Sequence, residues 1–276
     1  MTTYGRDSLW KDTAGIDLAA ARDLADTLEK RGAAPDEIAA RAAYLDLLGV
    51  RPGDRVLDVG CGSGVVTREI ARRVGPTGRV VGVDPSAALL TVAREIAARS
   101  KVTDRIQFQE GSALALPFPD DSFDRAIAVT VLGHIPNGDA AIPELVRVVR
   151  SGGTVSGFDF DSDMTAFTHP DREMTRRIVG AASDAVAVDG WMARRTPQLL
   201  ARAGLTDVRA RAFFPIDCDA DGFYVGLAER SATAAVASGA VSSADAAAWL
   251  AAFRAQLSRG PVVAGRLHVF AWGTKP

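Results

Sequence analysis

The run Val56-Leu57-Asp58-Val59-Gly60-Cys61-Gly62-Ser63-Gly64 constrains this chain more than any other stretch. It reads as a short buried strand that turns sharply on three alternating glycines, and from Val65 to Val74 the pattern is helical. Glycine suits such a turn because the backbone must bend tightly and let a ligand approach without a Cβ in the way. A second anchor follows at Asp84, which closes the apolar strand Val80-Val81-Gly82-Val83. An acid at the end of the second strand, about twenty residues past the glycine turn, is placed to bind the two hydroxyls of a ribose.

The rest of the chain continues the alternation. A helix is expected from Ser86 with Leu89, Ala93, Ile96 and Ala97 on one face, then strands at Ile106–Glu110 and Arg125–Val131. A helix over Pro143–Val149 and a strand over Thr154–Phe158 complete the series. Strands alternating with amphipathic helices predict a mostly parallel sheet covered on both faces, a doubly wound α/β fold. Ahead of it, Asp17–Arg31 and the stretch from Pro35-Asp36 to Leu48 read as helices, each stopped by a glycine, Gly32 and Gly49. After Asp159 the rhythm breaks, with helical patterns around Met174–Val188 and Pro197–Ala203, a strand at Asp207–Phe214 and a last strand at Leu267–Trp272. Four regions are therefore expected: a helical lid over 1–49, and a Rossmann-like core over 50–216 with a helical insertion near 161–195. A helical cap over 217–262 and the final core strand within 263–276 follow. Tyr4 and Trp10, aromatic in a polar leader, suit a lid that orders on a ligand.

The glycine spacing separates two cofactor classes. Dinucleotide enzymes use G-x-G-x-x-G, and here Val65 stands where their third glycine falls. The form G-x-G-x-G preceded by Asp58 resembles the first motif of class I S-adenosylmethionine-dependent methyltransferases. Val81-Gly82-Val83-Asp84-Pro85-Ser86 resembles their second motif, and Gly111-Ser112-Ala113 occupies the place where the family usually has Gly-Asp-Ala near the adenine. Phe123-Asp124-Arg125-Ala126 into Val131-Leu132-Gly133-His134-Ile135-Pro136 looks like the fourth strand and its edge. Glu144 to Gly153 looks like the helix and turn before strand five. Residues 50 to 160 together resemble the ubiquinone/menaquinone-biosynthesis-like small-molecule methyltransferases. The resemblance implies a seven-stranded sheet and S-adenosyl-L-methionine as cofactor, with S-adenosyl-L-homocysteine as product. It carries cofactor contacts to Asp58, Gly60, Cys61, Gly62, Gly64, Asp84, Pro85, Leu89, Gly111, Ser112, Ala113 and Thr130, with Ser112 standing where the family usually carries an acid.

Methyl transfer from a sulfonium is an in-line displacement with a good leaving group, so positioning in a dry site can supply most of the catalysis. A base is needed only where the nucleophile must shed a proton. His134, at the carboxyl edge of the sheet, and His169, in the loop after strand five, are the candidates for that role. His268, in the last strand, reads as packing or surface. Asp159, Asp161 and Asp163 read as a polar turn, and without further ligand context no metal is expected.

The acceptor is expected to be a small molecule. The 276 residues carry a formal net charge of −2, which argues against holding nucleic acid by phosphate neutralisation. Thr130-Val131-Leu132-Gly133 stands where amino-methylating enzymes of DNA carry an Asn/Asp-Pro-Pro-Tyr-like loop, and no Pro-Cys pair offers a covalent nucleophile for a pyrimidine. Phe158, Phe160, Phe167, Trp191, Phe213, Phe214, Phe223, Tyr224 and Trp249 are candidates for an apolar pocket or for ordinary core. Cys61 and Cys218 form neither a disulfide framework nor a zinc motif. No apolar run is long enough to cross a bilayer and no signal-like leader is present. The expectation is a cytoplasmic protein without membrane insertion, compatible with a homodimer. Two other uses of such a site are open at this stage: non-methylating chemistry assisted by the sulfonium (cyclisation, decarboxylation or hydroxylation) and ligand sensing without turnover.

Overall fold

The computed structural model describes residues 13–186 and 188–276; Tyr4 and Trp10, named above for the lid, lie outside them. Among the described residues, eight strands form one sheet: β1 (Arg55–Val59), β2 (Arg79–Asp84), β3 (Ile106–Glu110), β4 (Phe123–Val129), β5 (Val149–Phe167), β6 (Thr206–Phe213), β7 (Ile216–Asp217) and β8 (Ala264–Thr274). Their order is β3-β2-β1-β4-β5-β8-β6, with β7 also paired to β8. Strands β1 to β5 run parallel, and β8 runs antiparallel to β5, β6 and β7. The seven-stranded expectation is corrected by β7, a two-residue strand that pairs Ile216 with Gly265 and Asp217 with Ala264. Nothing in so short a segment carries a period that could announce it.

Strand β1 sits between β2 and β4, with Asp58 opposite Gly82 and Ile127. The connections from β1 and β4 leave towards opposite ends of the sheet, so a crevice opens beyond their carboxyl ends, the usual ligand position in a doubly wound fold. Val56, Leu57 and Val59 are almost fully buried, as strands covered on both faces require.

The helices, in chain order, are α1 (Leu18–Gly32), α2 (Pro35–Leu48), α3 (Val65–Arg73), α4 (Ala87–Ala98), α5 (Ala141–Val148), α6 (Arg172–Val186), α7 (Met192–Arg202), α8 (Phe223–Ala237) and α9 (Ser243–Leu257). Asp17 caps α1 by accepting the Ala20 amide at 2.8 Å, and Ser86 caps α4 by accepting that of Leu89 at 3.2 Å. Ala21, Leu24 and Ala25 of α1 pack on Leu89 and Val92 of α4, which lays α1 across the carboxyl edge of the sheet. Helices α6, α8 and α9 share a second core built on Ile178, Tyr224, Trp249 and Phe253.

Strand β5 runs past its expected end at Phe158 to Phe167. The long strand β8 supplies partners on both sides of an irregularity: Phe158 faces Phe270, the pairing stops after Phe160, and Thr165 to Phe167 pair again, Thr165 facing Arg266. Asp159, Asp161 and Asp163 therefore stand in a strand and not in the polar turn read from their alternation. Each acid is satisfied individually, Asp161 by Arg194 and Asp163 by the Ser183 hydroxyl and the Trp191 indole. Polarity alone thus gave a misleading sign at this position.

Phe158 ties α2 to the sheet. Its ring lies 4.7 Å from Tyr44 of α2 and 5.0 Å from His268 of β8, nearly parallel to the latter. Phe158→Ala should lower the unfolding free energy by about 3–5 kcal/mol, the range for emptying a buried aromatic site. Urea denaturation measures it.

Candidate functional site

The turn after β1 needs its glycines for two separate reasons. Gly60, Gly62 and Gly64 all have positive φ, +68°, +53° and +80°, where side chains are strained. Space is short as well: a Cβ on Gly60 would collide with Val131, and one on Gly62 would come 2.7 Å from Leu28 of α1. The turn is bound to β2 by its own amides, Gly60 and Cys61 both donating to the Val83 carbonyl at 2.7 and 3.0 Å. Asp84 completes the joint by accepting the Gly62 amide on Oδ2 and the Ser86 amide on Oδ1, each at 3.0 Å. Burial pushes the Asp84 carboxyl up, and the Ser86 and Gly62 amides restrain it. Asp58 accepts the Thr67 hydroxyl at 2.6 Å. Burial lifts its carboxyl to about 7, against the Thr67 hydrogen bond and with added repulsion from Asp84.

A cavity of about 290 Å³ opens beyond this joint, between α1, α2, the strand ends and the cap. Of the residues singled out in the sequence, Asp58, Gly60, Cys61, Gly62, Asp84, Pro85, Leu89, Thr130 and His134 line it. Gly64, Gly111, Ser112 and Ala113 stand outside the lining. Gly64 precedes α3, Gly111 donates its amide to the Asp84 carbonyl at 3.2 Å, Ser112 is exposed and Ala113 packs in the main core. His169 is away from the cavity: it stacks on Trp249 at 4.9 Å, with Nε2 3.0 Å from the Trp249 carbonyl oxygen. Phe160, Phe223 and Tyr224 are the cavity-lining members of the aromatic set.

Thr130 has φ +54°, a costly conformation for a β-branched residue. Its amide donates to the Phe158 carbonyl at 2.6 Å, so the strained residue is held at the edge between β4 and β5. Strain concentrated at such an edge is common where a ligand is bound.

The shape and donor set suit an adenosyl ligand. A buried carboxylate ends β2, Pro85 and Leu89 offer apolar surface beside it, and the glycine turn leaves its backbone open to close approach. A diphosphate is less well served, because the α3 end of the turn carries Val65 and α1 covers Gly62.

Among the cavity residues that no sequence motif marks are Arg31, Glu37, Tyr224 as a polar group, and His268. Arg31 Nε donates to Glu37 Oε1 at 2.8 Å, and the Tyr224 hydroxyl donates to the same oxygen. Arg31 Nη2 lies 3.1 Å from His268 Nε2 and its Nη1 lies 3.4 Å from Thr130 Oγ1. His268, expected as packing or surface, does pack, but it also lines the cavity. Burial first, then Arg31, holds its imidazole down to about 3. Residues 31, 37, 224 and 268 meet only through the tertiary fold, so no local spacing marks them. Glu29, the other charged contact of α1 here, accepts from Ser63 Oγ and Arg68 Nη2, both at 2.6 Å, and so fastens α1 to the glycine turn.

Residues 56–153 match the family described as methyltransferase domain. The sheet order and the glycine–acid joint described above make this stretch similar to the domain of class I, S-adenosylmethionine-dependent methyltransferases. Within that class the chain resembles the ubiquinone/menaquinone biosynthesis C-methyltransferases: it is 39% identical to that of Pseudomonas aeruginosa over 116 residues, 42% of this chain and 45% of the relative. A 37.1 kDa transposon protein of Streptomyces fradiae is 31% identical over 213 residues, 76% of this chain and 60% of the relative. The chain thus spans between about half and three fifths of the length of these relatives. Among solved structures, the YcgJ protein of Bacillus subtilis superposes with a TM-score of 0.57 at 18% identity, over 86% of this chain and 98% of that one. Phosphoethanolamine N-methyltransferase 2 of Haemonchus contortus, solved with S-adenosylhomocysteine, superposes with a TM-score of 0.54 at 18% identity, over 86% of this chain and 52% of that one. At these identities the likeness speaks for the fold.

Asp159 sits beside the site and positions it. Its carboxylate accepts the amides of Gly133, next to His134, and of Phe160, at 3.0 and 3.1 Å. Burial raises the carboxyl to about 7 despite those two donors. A carboxyl with a folded pKa above its unfolded value of about 3.9 binds more protons when folded, so its contribution to stability falls as pH rises between the two values. Asp159→Asn cannot ionise and lacks this slope. Wild type should lose about 1 kcal/mol or more relative to the variant between about pH 5 and about pH 8, a difference that urea denaturation at the two pH values measures.

Proposed function

We propose that this protein transfers the methyl group of S-adenosylmethionine to an oxygen, nitrogen or carbon of a small, partly apolar metabolite held in the cavity. The observation that carries this reading is the joint of Asp84 with the Gly62 amide, facing the same cavity as Phe160, Phe223 and Tyr224. When bound, the cofactor supplies an electrophilic methyl on a sulfonium.

The chain's own residues would do the rest. Asp84 has a second lone pair on each carboxylate oxygen, enough to accept from two ribose hydroxyls while keeping its amide donors. Pro85 and Leu89 would flank the adenine, and Gly60 and Gly62 would let the amino-acid end lie against backbone. The lid and the cap divide the enclosure between them. Helices α1 and α2 close the side over the glycine turn, and α8 contributes Phe223, Tyr224 and Leu227 from the other side. Water exclusion and alignment in this space are the catalytic means open to an in-line displacement. His134, whose ring meets Phe160 edge-on at 5.2 Å, faces the same space.

Titration calorimetry with S-adenosylmethionine tests the reading directly. Asp84→Ala should weaken binding by about 10- to 100-fold, the scale of losing charge-assisted hydrogen bonds to a buried carboxylate. Undiminished affinity in that variant would remove the ribose assignment, and no binding by the wild type would remove the function.

A further inference from the structure

Glu37 is an unusual residue for a mostly apolar cavity. It stands in the first turn of α2 with its side chain only 7% exposed, and it faces the space that Phe160, Phe223 and Leu227 also line. All of its hydrogen bonds fall on one oxygen: Oε1 accepts from Arg31 Nε and from the Tyr224 hydroxyl. Oε2 accepts from no donor among the described residues. Oε2 therefore keeps its lone pairs for a donor reaching it from the cavity that Glu37 lines, such as a hydroxyl of a bound molecule.

The surroundings select the kind of donor. His268 Nδ1 lies 3.1 Å from the Arg266 carbonyl oxygen, which places its proton there and leaves Nε2 to accept from Arg31. The ring is therefore neutral, Tyr224 is neutral, the charges of Arg31 and Glu37 offset each other, and Arg41, Arg230 and Arg266 add positive charge to the lining. An ammonium would meet the Arg31 guanidinium beside its binding carboxylate, and a carbon acid offers no strong hydrogen bond. A neutral hydroxyl on an apolar body fits the oxygen and the walls together. The guanidinium that holds Glu37 also reaches Thr130 at the end of β4, and Glu37, Thr130 and the glycine turn line one cavity.

We propose that the acceptor is a phenol or enol, whose hydroxyl donates to Glu37 Oε2 and gives up its proton there during methyl transfer. This rests on the methyl-transfer reading above. In the step the hydroxyl oxygen forms a bond to the methyl carbon while the carbon–sulfur bond breaks, its electron pair returning to sulfur as a neutral thioether. The hydroxyl proton passes to Glu37, which becomes a carboxylic acid and later releases the proton to solvent. Arg31 and Tyr224 are positioning residues that hold the carboxylate by its other oxygen. Burial alone would lift the Glu37 carboxyl, but the Arg31 charge and the Tyr224 and Arg31 hydrogen bonds keep it below the usual range and hence ionised. Weak basicity is no obstacle, because an oxygen that is gaining a methyl group becomes a strong acid.

Binding of matched probes tests this without requiring turnover. With the protein saturated by S-adenosylhomocysteine, 2-naphthol should bind at least about tenfold tighter than 2-methoxynaphthalene, the worth of a hydrogen bond to a charged acceptor. Glu37→Gln puts an amide donor where the open acceptor stood and should reduce that preference to about twofold or less, with S-adenosylhomocysteine affinity unchanged. Tyr224→Phe, which keeps the carboxylate but loosens it, should give an intermediate preference. Equal preference in wild type and Glu37→Gln, or failure of 2-naphthol to bind the loaded protein, overturns the assignment of Glu37 alone. Failure of S-adenosylhomocysteine itself to bind wild type overturns the underlying function and this inference with it.

Discussion

The carboxylate of Asp84 is the point on which the rest of the site depends. It ends β2, accepts the amide of Gly62 from the turn after β1, and accepts the amide of Ser86 at the start of α4. Three segments that would otherwise move separately are thereby fixed at one corner. The parallel register of β1 and β2 brings that corner to the carboxyl edge of the sheet, and the positive φ values of the turn keep Cβ atoms out of it. Burying an acid there is costly, as its raised carboxyl shows, and the two amides offset part of that cost.

Around this corner the protein arranges two unlike surfaces. The side made by the glycine turn, Pro85 and Leu89 is mostly backbone and aliphatic. The side made by Arg31, Glu37, Tyr224 and His268 is a hydrogen-bonded polar cluster set against aromatic rings. Such clusters favour a single arrangement, because each member has few other partners available inside a protein. The first surface depends on residues close together in the chain, whereas the second draws on α1, α2, α8 and β8.

That difference explains what could be read from the residues alone. Asp58, Gly60, Gly62 and Asp84 announce themselves because a tight turn and its acid need particular residue types at fixed spacing. The βα rhythm was legible for the same reason, since helices and buried strands impose periods. Glu37 and Tyr224 have no such mark: an acid in a first helical turn and an aromatic in an apolar helix both have ordinary explanations. Asp159, Asp161 and Asp163 look like a turn in the sequence because their partners, Gly133, Arg194 and Trp191, lie far along the chain. His169 was placed correctly in a loop, yet its ring is committed to Trp249 of the cap core. Strand β7 is an effect of β8 being long enough to hold a second short partner.

Helix α1 has a consequence for how molecules pass in and out. Leu28 lies against the turn, Glu29 grips Ser63 and Arg68, and Ala21, Leu24 and Ala25 pack on α4, so this wall of the cavity is held along its length by apolar as well as polar contacts. Were a ligand to leave on that side, the polar grip and the apolar packing would have to give way together, and such a wall would make a slow turnstile even where the bond-making itself is fast.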